Sequence, residues 1–382
     1  MSARRRGTAR RRNSSAAVQP ALFEVDLRPG ARYYRQILDA LARSDFGADA
    51  DSAERVVSKL FGAVWAAQDV PRDGSTEEAF GLGLVDQARA RRSHASLALL
   101  GVLADIAPIR EVREAAARAA AVVSVHGKPV TSTGRCWAYE DVFGDLVTVM
   151  CEYESGSSDT YAVAIRVDRA MFSTATDVWI TEDVDGAIRD LHNAGEASEL
   201  MFTLRLVDPA WARAYAERAF ARTDLVPGVE LGTGFADLRS LVLARLRLLT
   251  DNPAVLPPEP RSPTRDERQA MVVEFLTDWH DIPDFESAEV IAALIVKYSS
   301  EYDPGGITRV SPAKWEVFLN EWLPVRMPPD PIRTAVPDVV RAWSAWAARR
   351  QHLDGPTRDE LTRSLDELLE DVFHESAVAR AG

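Results

Sequence analysis

At 382 residues with 46% apolar side chains, the chain holds ample material for packed cores and exceeds the size at which single cores usually stop growing, so two or three domains are expected. Net charge is −13, although six arginines (Arg4, Arg5, Arg6, Arg10, Arg11, Arg12) crowd into the first twelve residues, so a basic tip precedes an acidic body. Such a body excludes duplex binding through a broad phosphate-facing surface, which would need clustered Lys and Arg.

Two cysteines, Cys136 and Cys151, are too few for a disulfide scaffold and suit a reducing compartment. No apolar run approaches the roughly 20 residues of a membrane span. Ser96 to Ala104 is the best and ends at Asp105. The arginine-rich start lacks the apolar segment of an export signal, since Glu24 and Asp26 follow soon after. These features predict a cytoplasmic protein with no membrane association.

Residues 1–20 are basic, small and polar, and are expected to form a disordered tail capable of a weak polyanion contact. Residues 21–126 are expected to form a helical domain. Segments near 33–43, 52–68, 76–92, 94–106 and 109–125 are rich in Ala, Leu, Arg and Glu. Asp51, with Glu54 three residues on, has the form of a capping box for the second segment. Val56, Val57, Leu60, Phe61, Val64 and Trp65 keep the spacing of a core-facing stripe.

Residues 127–250 are expected to form a small α+β domain around a central hairpin. Val147, Val149, Cys151 and Tyr153 alternate along one segment, and Tyr161, Val163, Ile165 and Val167 along the next, separated by a polar turn at Glu154–Asp159. Trp137 to Phe143 is expected as an edge strand, with Asp177–Thr181 and Leu200–Val207 as further strands. Val184 to Asn193 is a helix ended by Gly195. A second helix has Pro209 at its first position behind Asp208, with Trp211, Tyr215 and Ala219 as the buried face and Phe220 at its edge. Both helices are expected on one face of the sheet. Gly232 to Leu249 reads as helix again.

Residues 251–263 carry five prolines and predict an extended linker and a domain boundary. Residues 264–376 are expected to form a helical domain of five helices, two of which start with the same Pro-Thr-Arg-Asp-Glu sequence offering capping boxes Thr264/Glu267 and Thr357/Glu360. Five of the nine tryptophans fall here, at helical spacings that mark core. The fold class is thus mainly α with one antiparallel sheet.

Candidate chemistry is sparse. His126, Cys136, Cys151 and His192 lack the paired spacing of a structural zinc site, and Cys151 belongs to the hairpin's apolar stripe, so no metal is expected. Thr181 to Gly186 resembles a calcium loop at Asp183, Asp185 and Gly186. It fails at the first and twelfth positions, Thr181 and His192, and reads better as a helix start. Gly228, Gly232 and Gly234 precede a helix without a leading strand, and no phosphate loop occurs, so no cofactor is expected. His280, Asp281 and Asp284 form the densest acid and histidine cluster, with helix capping as the simpler role for the acids.

Three C-terminal segments, Glu274 to Trp279, Phe318 to Pro324 and Val336 to Trp343, resemble the tail of a family of uncharacterised actinobacterial proteins, with weaker similarity around the hairpin. Forty-one arginines against four lysines fit a high-GC source. The resemblance implies no catalytic residues. The expected function is non-catalytic binding of a macromolecular partner through the acidic body. The alternative is an enzyme with its site between the central sheet and the C-terminal helices.

Overall fold

The structure is a computed structural model that describes residues 30–44, 46–47, 49–120, 129–156, 159–197, 202–258, 261–279, 284–303, 305–326 and 330–381. The basic tail, His126, and the His280 and Asp281 pair lie outside the described residues. The chain is mainly helical with one antiparallel sheet, as expected.

The first five helices are α1 (Ala31–Arg43), α2 (Ala50–Ala66), α3 (Ser75–Arg91), α4 (His94–Ile106) and α5 (Arg110–Ala120). Their apolar stripes meet in one cluster around Ile37, Phe61, Leu84, Leu99 and Val112, all fully shielded from solvent. The start of α2 differs from the expected capping box. Asp49 is the cap and accepts from the Ser52 N–H at 3.1 Å, which moves Asp51 into the first turn and frees Glu54 for another partner.

The sheet comprises β1 (Thr131–Glu140), β2 (Leu146–Glu154), β3 (Thr160–Asp168), β4 (Thr174–Thr181) and β5 (Thr203–Leu206), in the spatial order β4-β3-β2-β1-β5. The hairpin of β2 and β3 pairs Val149 with Ile165 and Cys151 with Val163, the register that keeps both alternating stripes on one face. Strand β1 is longer than expected and is interior, because β5 pairs along its outer side. A register irregularity between Ser132 and Cys136, with Gly134 at φ 78°, carries the strand through residues too polar to read as sheet.

Helices cover both faces of this sheet, not one. On the stripe face lie α7 (Pro209–Thr223) and α8 (Phe235–Leu246), packing Ala212, Ala216, Phe220, Phe235 and Val242 against Val149, Cys151 and Ile165. On the other face, α6 (Val184–Ala197) sets Val184 against Trp137, Met150, Ala162 and Ala164, and it runs through Gly195 without stopping. Within α7 the buried stripe is alanine-rich, and Phe220 belongs to the core at 2% exposure, while Trp211 and Tyr215 stack at its margin. Small residues at 212 and 216 let the helix lie close to the strands.

Helix α8 is shared. Leu241 and Ala244 enter the core of the first five helices, while Val242 and Leu246 enter the sheet core. A Cβ at Gly62 of α2 would stand 2.0 Å from the Ala236 carbonyl oxygen, so glycine is what allows α2 and α8 to approach. The Ser58 hydroxyl donates to the Asp237 carbonyl at 2.7 Å and accepts from the Leu241 N–H at 3.1 Å, bridging an i, i+4 pair of α8. Arg239 is buried in the same seam and donates to Glu77 and Asp224, beside the face of Trp65.

Beyond the proline-rich stretch, in which a short 3-10 turn spans Pro253–Val255, come α9 (Arg265–Asp278), α10 (Phe285–Tyr302) and α11 (Pro312–Val317). A wide turn at Phe318–Trp322 then leads into α12 (Leu323–Val325), followed by α13 (Asp330–Arg333), α14 (Val336–Arg350) and α15 (Gly355–Ala381). The wide turn lets the Leu323 N–H reach five residues back to Phe318, just before Pro324, which has no N–H to continue an ordinary ladder. Thr264 and Glu267 form the expected capping box of α9. At α15 the capping carboxylate is instead that of Asp354, which accepts from the Thr357 N–H at 2.9 Å. The aromatic residues Phe275, Tyr298, Trp315, Phe318, Trp322 and Trp343 form this core, and Phe143 from the turn between β1 and β2 is part of it. Among the described residues no helix is long and apolar enough to cross a membrane.

Candidate functional site

A polar cavity of 590 Å³ opens where α2, α8 and the hairpin end of the sheet meet. Helix α2 contributes Asp51, Glu54 and Arg55, which its Asp49 cap sets on one face near the helix start. Strand β3 contributes Thr160 and Tyr161, the hairpin turn Ser155 and Asp159, and the end of β4 Ile180 and Glu182. Leu241 and Arg245 come from α8.

One charge-assisted chain braces the cavity wall. Arg245, only 6% exposed at its side chain, forms an ion pair with the Glu54 carboxylate through Nη2, and its Nε donates to the Tyr161 hydroxyl. Burial pushes Glu54 above the ordinary carboxylate range against the pull of Arg245. Burial also raises Tyr161, with Arg245 opposing it. For Arg245 the carboxylate and phenol outweigh desolvation, so the guanidinium stays charged. With Arg245 and Glu54 compensating each other, the other charged residues lining the cavity are Asp51, Asp159 and Glu182 against Arg55, a surplus of negative charge.

A second cluster lies at the opposite end of the sheet, where it meets the C-terminal helices. Asp145 of the β1–β2 turn pairs with Arg309 and accepts from the Ser311 hydroxyl at 2.8 Å. Arg309 also donates to Asp303 at 2.7 Å. Lys314 donates from Nζ to the Gly306 carbonyl at 2.7 Å and stands 3.7 Å from Asp303. Burial drives the Lys314 amine down to about 7 despite Asp303, while Arg309 and Lys314 hold Asp303 below its usual range against burial.

The candidate residues read from the sequence are dispersed. Cys136 and Cys151 are direct partners across β1 and β2, both as free thiols and both buried, and the contact with Cys136 together with burial raises the Cys151 thiol. His192 lies on α6, on the opposite face of the sheet. No group of three His, Cys, Asp or Glu able to hold a metal occurs among the described residues. Asp183 caps α6, accepting from the Gly186 N–H at 2.8 Å. The Gly232 N–H donates to the Thr176 carbonyl at 2.8 Å, which docks the loop before α8 against β4. Asp284 caps α10 through the Ser287 N–H.

Arg245, Asp159 and Glu182 carry the cavity, yet the sequence reading does not single them out. One signal was present in Arg245, which stands four residues after Leu241 and three after Val242, at a stripe position where a helix of this pattern would place an apolar side chain. No family model matches the chain, and neither a curated protein nor a solved structure does.

Proposed function

We propose that the chain is a cytoplasmic, non-catalytic binding protein, and that the cavity between α2 and the hairpin receives a basic side chain of a macromolecular partner. The observation that carries this reading is the surplus of carboxylates around a cavity whose one deep cation, Arg245, is already engaged by Glu54. A guanidinium or ammonium entering there meets carboxylates on both walls, Asp51 on α2 and Glu182 beyond β4. Titration with a tetra-arginine peptide, followed by calorimetry at two ionic strengths, tests it. The expected result is salt-sensitive binding that Asp51→Asn with Glu182→Gln weakens about tenfold, equivalent to about 1.4 kcal/mol. Equal affinity for the double variant would remove the cavity from the reading.

The alternative of an enzyme with its site at the C-terminal junction is favoured by one observation. Lys314 has an amine held to about 7, a value suited to nucleophilic or general-base work. Against it stands the setting. Lys314 is 4% exposed and walled by Arg309, Asp303 and Ser311, an arrangement that fits a buried clamp between sheet and helices.

A further inference from the structure

A groove of 440 Å³ between α9 and α10 has the opposite electrostatic character from the cavity beside the hairpin. Arg265, Arg268 and Gln269 line it from α9, Lys297, Ser300 and Glu301 from α10; at its bottom Ala293 is exposed, with Val272 and Val296 buried beneath at 2% and 1% exposure. Two arginines and one of the four lysines around one groove give it the opposite sign to the chain's net charge of −13.

The charges in the groove are not consumed by neighbours. Among the described residues neither Arg265 nor Lys297 has a carboxylate partner. Arg268 is steadied by one nitrogen, Nη1, which donates to the Pro263 carbonyl at 2.7 Å, while the rest of its guanidinium remains to donate elsewhere. Glu301, one turn after Lys297 on α10, is the single acid among the described lining residues, and its recognised partners lie outside the groove. It accepts from Trp322 Nε1 at 3.0 Å and pairs with Arg326 at 3.7 Å. Glu267, adjacent to Arg268, is bound to Arg261 and to the Thr264 cap. The groove therefore offers three cationic side chains on two separate helices around the exposed Ala293.

We propose that this groove binds a small phosphomonoester, with the phosphate held between Arg265, Arg268 and Lys297 and the organic body lying against the exposed Ala293 and the aliphatic stems of the flanking Arg and Lys side chains. Arginine forks and a lysine point charge complement a dianionic phosphate, and cations on both walls allow it to be gripped from two sides. That hydrocarbon contact distinguishes an ester from inorganic phosphate, because the ester also removes hydrocarbon from water.

Calorimetry with phenyl phosphate, inorganic phosphate, sulfate and phenol tests the proposal on the full chain. Phenyl phosphate is expected to bind at least tenfold more tightly than inorganic phosphate, with phenol not binding. The exposed pair Arg265→Gln and Lys297→Gln is expected to weaken phenyl phosphate at least tenfold while leaving the melting temperature unchanged. Vesicles containing phosphatidic acid separate a free ligand from a lipid headgroup, and co-sedimentation with vesicles without binding of phenyl phosphate would overturn the small-molecule assignment. Equal binding of sulfate and phenyl phosphate, or an unchanged affinity in the double variant, would overturn the site itself.

Discussion

The Ser58 hydroxyl accepts the Leu241 backbone N–H at 3.1 Å, so a side chain of one helix takes a place in the backbone bonding of another. The same oxygen donates to Asp237, and both groups lie in the seam between α2 and α8. Ser58→Ala leaves these backbone groups short of a buried partner, at a cost of about 1–3 kcal/mol. Gly62→Ala, one turn along, pushes a methyl into the Ala236 carbonyl and is expected to cost at least as much. Urea denaturation of the two variants measures both, and wild-type midpoints would contradict the packing described.

Arg245 and Glu54 should show strong non-additivity. Arg245→Met alone strands a buried carboxylate and is expected to destabilise by about 3–5 kcal/mol. Adding Glu54→Leu removes the stranded charge and should restore most of the loss. A double-mutant cycle by chemical denaturation reads the coupling, and strictly additive effects would refute it.

Lys314 gives a pH signature. Its amine sits at about 7 in the fold, against about 10.4 for an unfolded lysine. Between those values the unfolded chain binds a proton that the fold does not. Stability from this group therefore rises with pH by up to about 1.4 kcal/mol per unit, and is lost as pH falls through 7. Lys314→Met should flatten the difference in unfolding free energy between pH 7 and pH 9. Parallel pH profiles for the two proteins would show that the amine is not depressed.

The two thiols offer a direct check on the sheet. Cys136 and Cys151 are about 1% exposed or less, and burial adds to the contact with Cys136 in raising the Cys151 thiol. Because the thiolate is the reactive form, a disulfide reagent should label neither in the native protein within minutes and both in denaturant. Rapid native labelling would place one of them at the surface.

The hairpin was legible because Val147 to Tyr153 and Tyr161 to Val167 alternate cleanly, and period two has few other readings. Its second covered face was not. That face presents Ala162, Ala164, Met150 and Thr148 beside Glu152, a mixture that resembles a solvated surface although all five are buried. Glu152 is held there by Arg135 at 3.1 Å and by the Thr133 hydroxyl at 2.7 Å, partners from β1 that no local pattern announces. Capping was legible in kind but not always in position. Thr264 caps α9 as read, whereas Asp49 and Asp354 supply the carboxylates at α2 and α15, each beside an equally suitable residue. The cavity was the least legible feature, since Glu54 and Arg245 meet across 191 positions of sequence. Pair geometry at that separation exists only after the helices have packed.

Because α8 closes two cores at once, fragments of this chain should obey a simple rule of excision. A piece ending at Ala120 keeps α1 to α5 but exposes the Ser58 and Gly62 groove together with the Leu241 and Ala244 contact surface. Such a piece is expected to aggregate or to remain a loosely packed species when expressed alone, whereas one extended to Leu249 regains its missing wall. Supplying residues 129–249 as a separate polypeptide should rescue the short piece by complementation, as a split protein does.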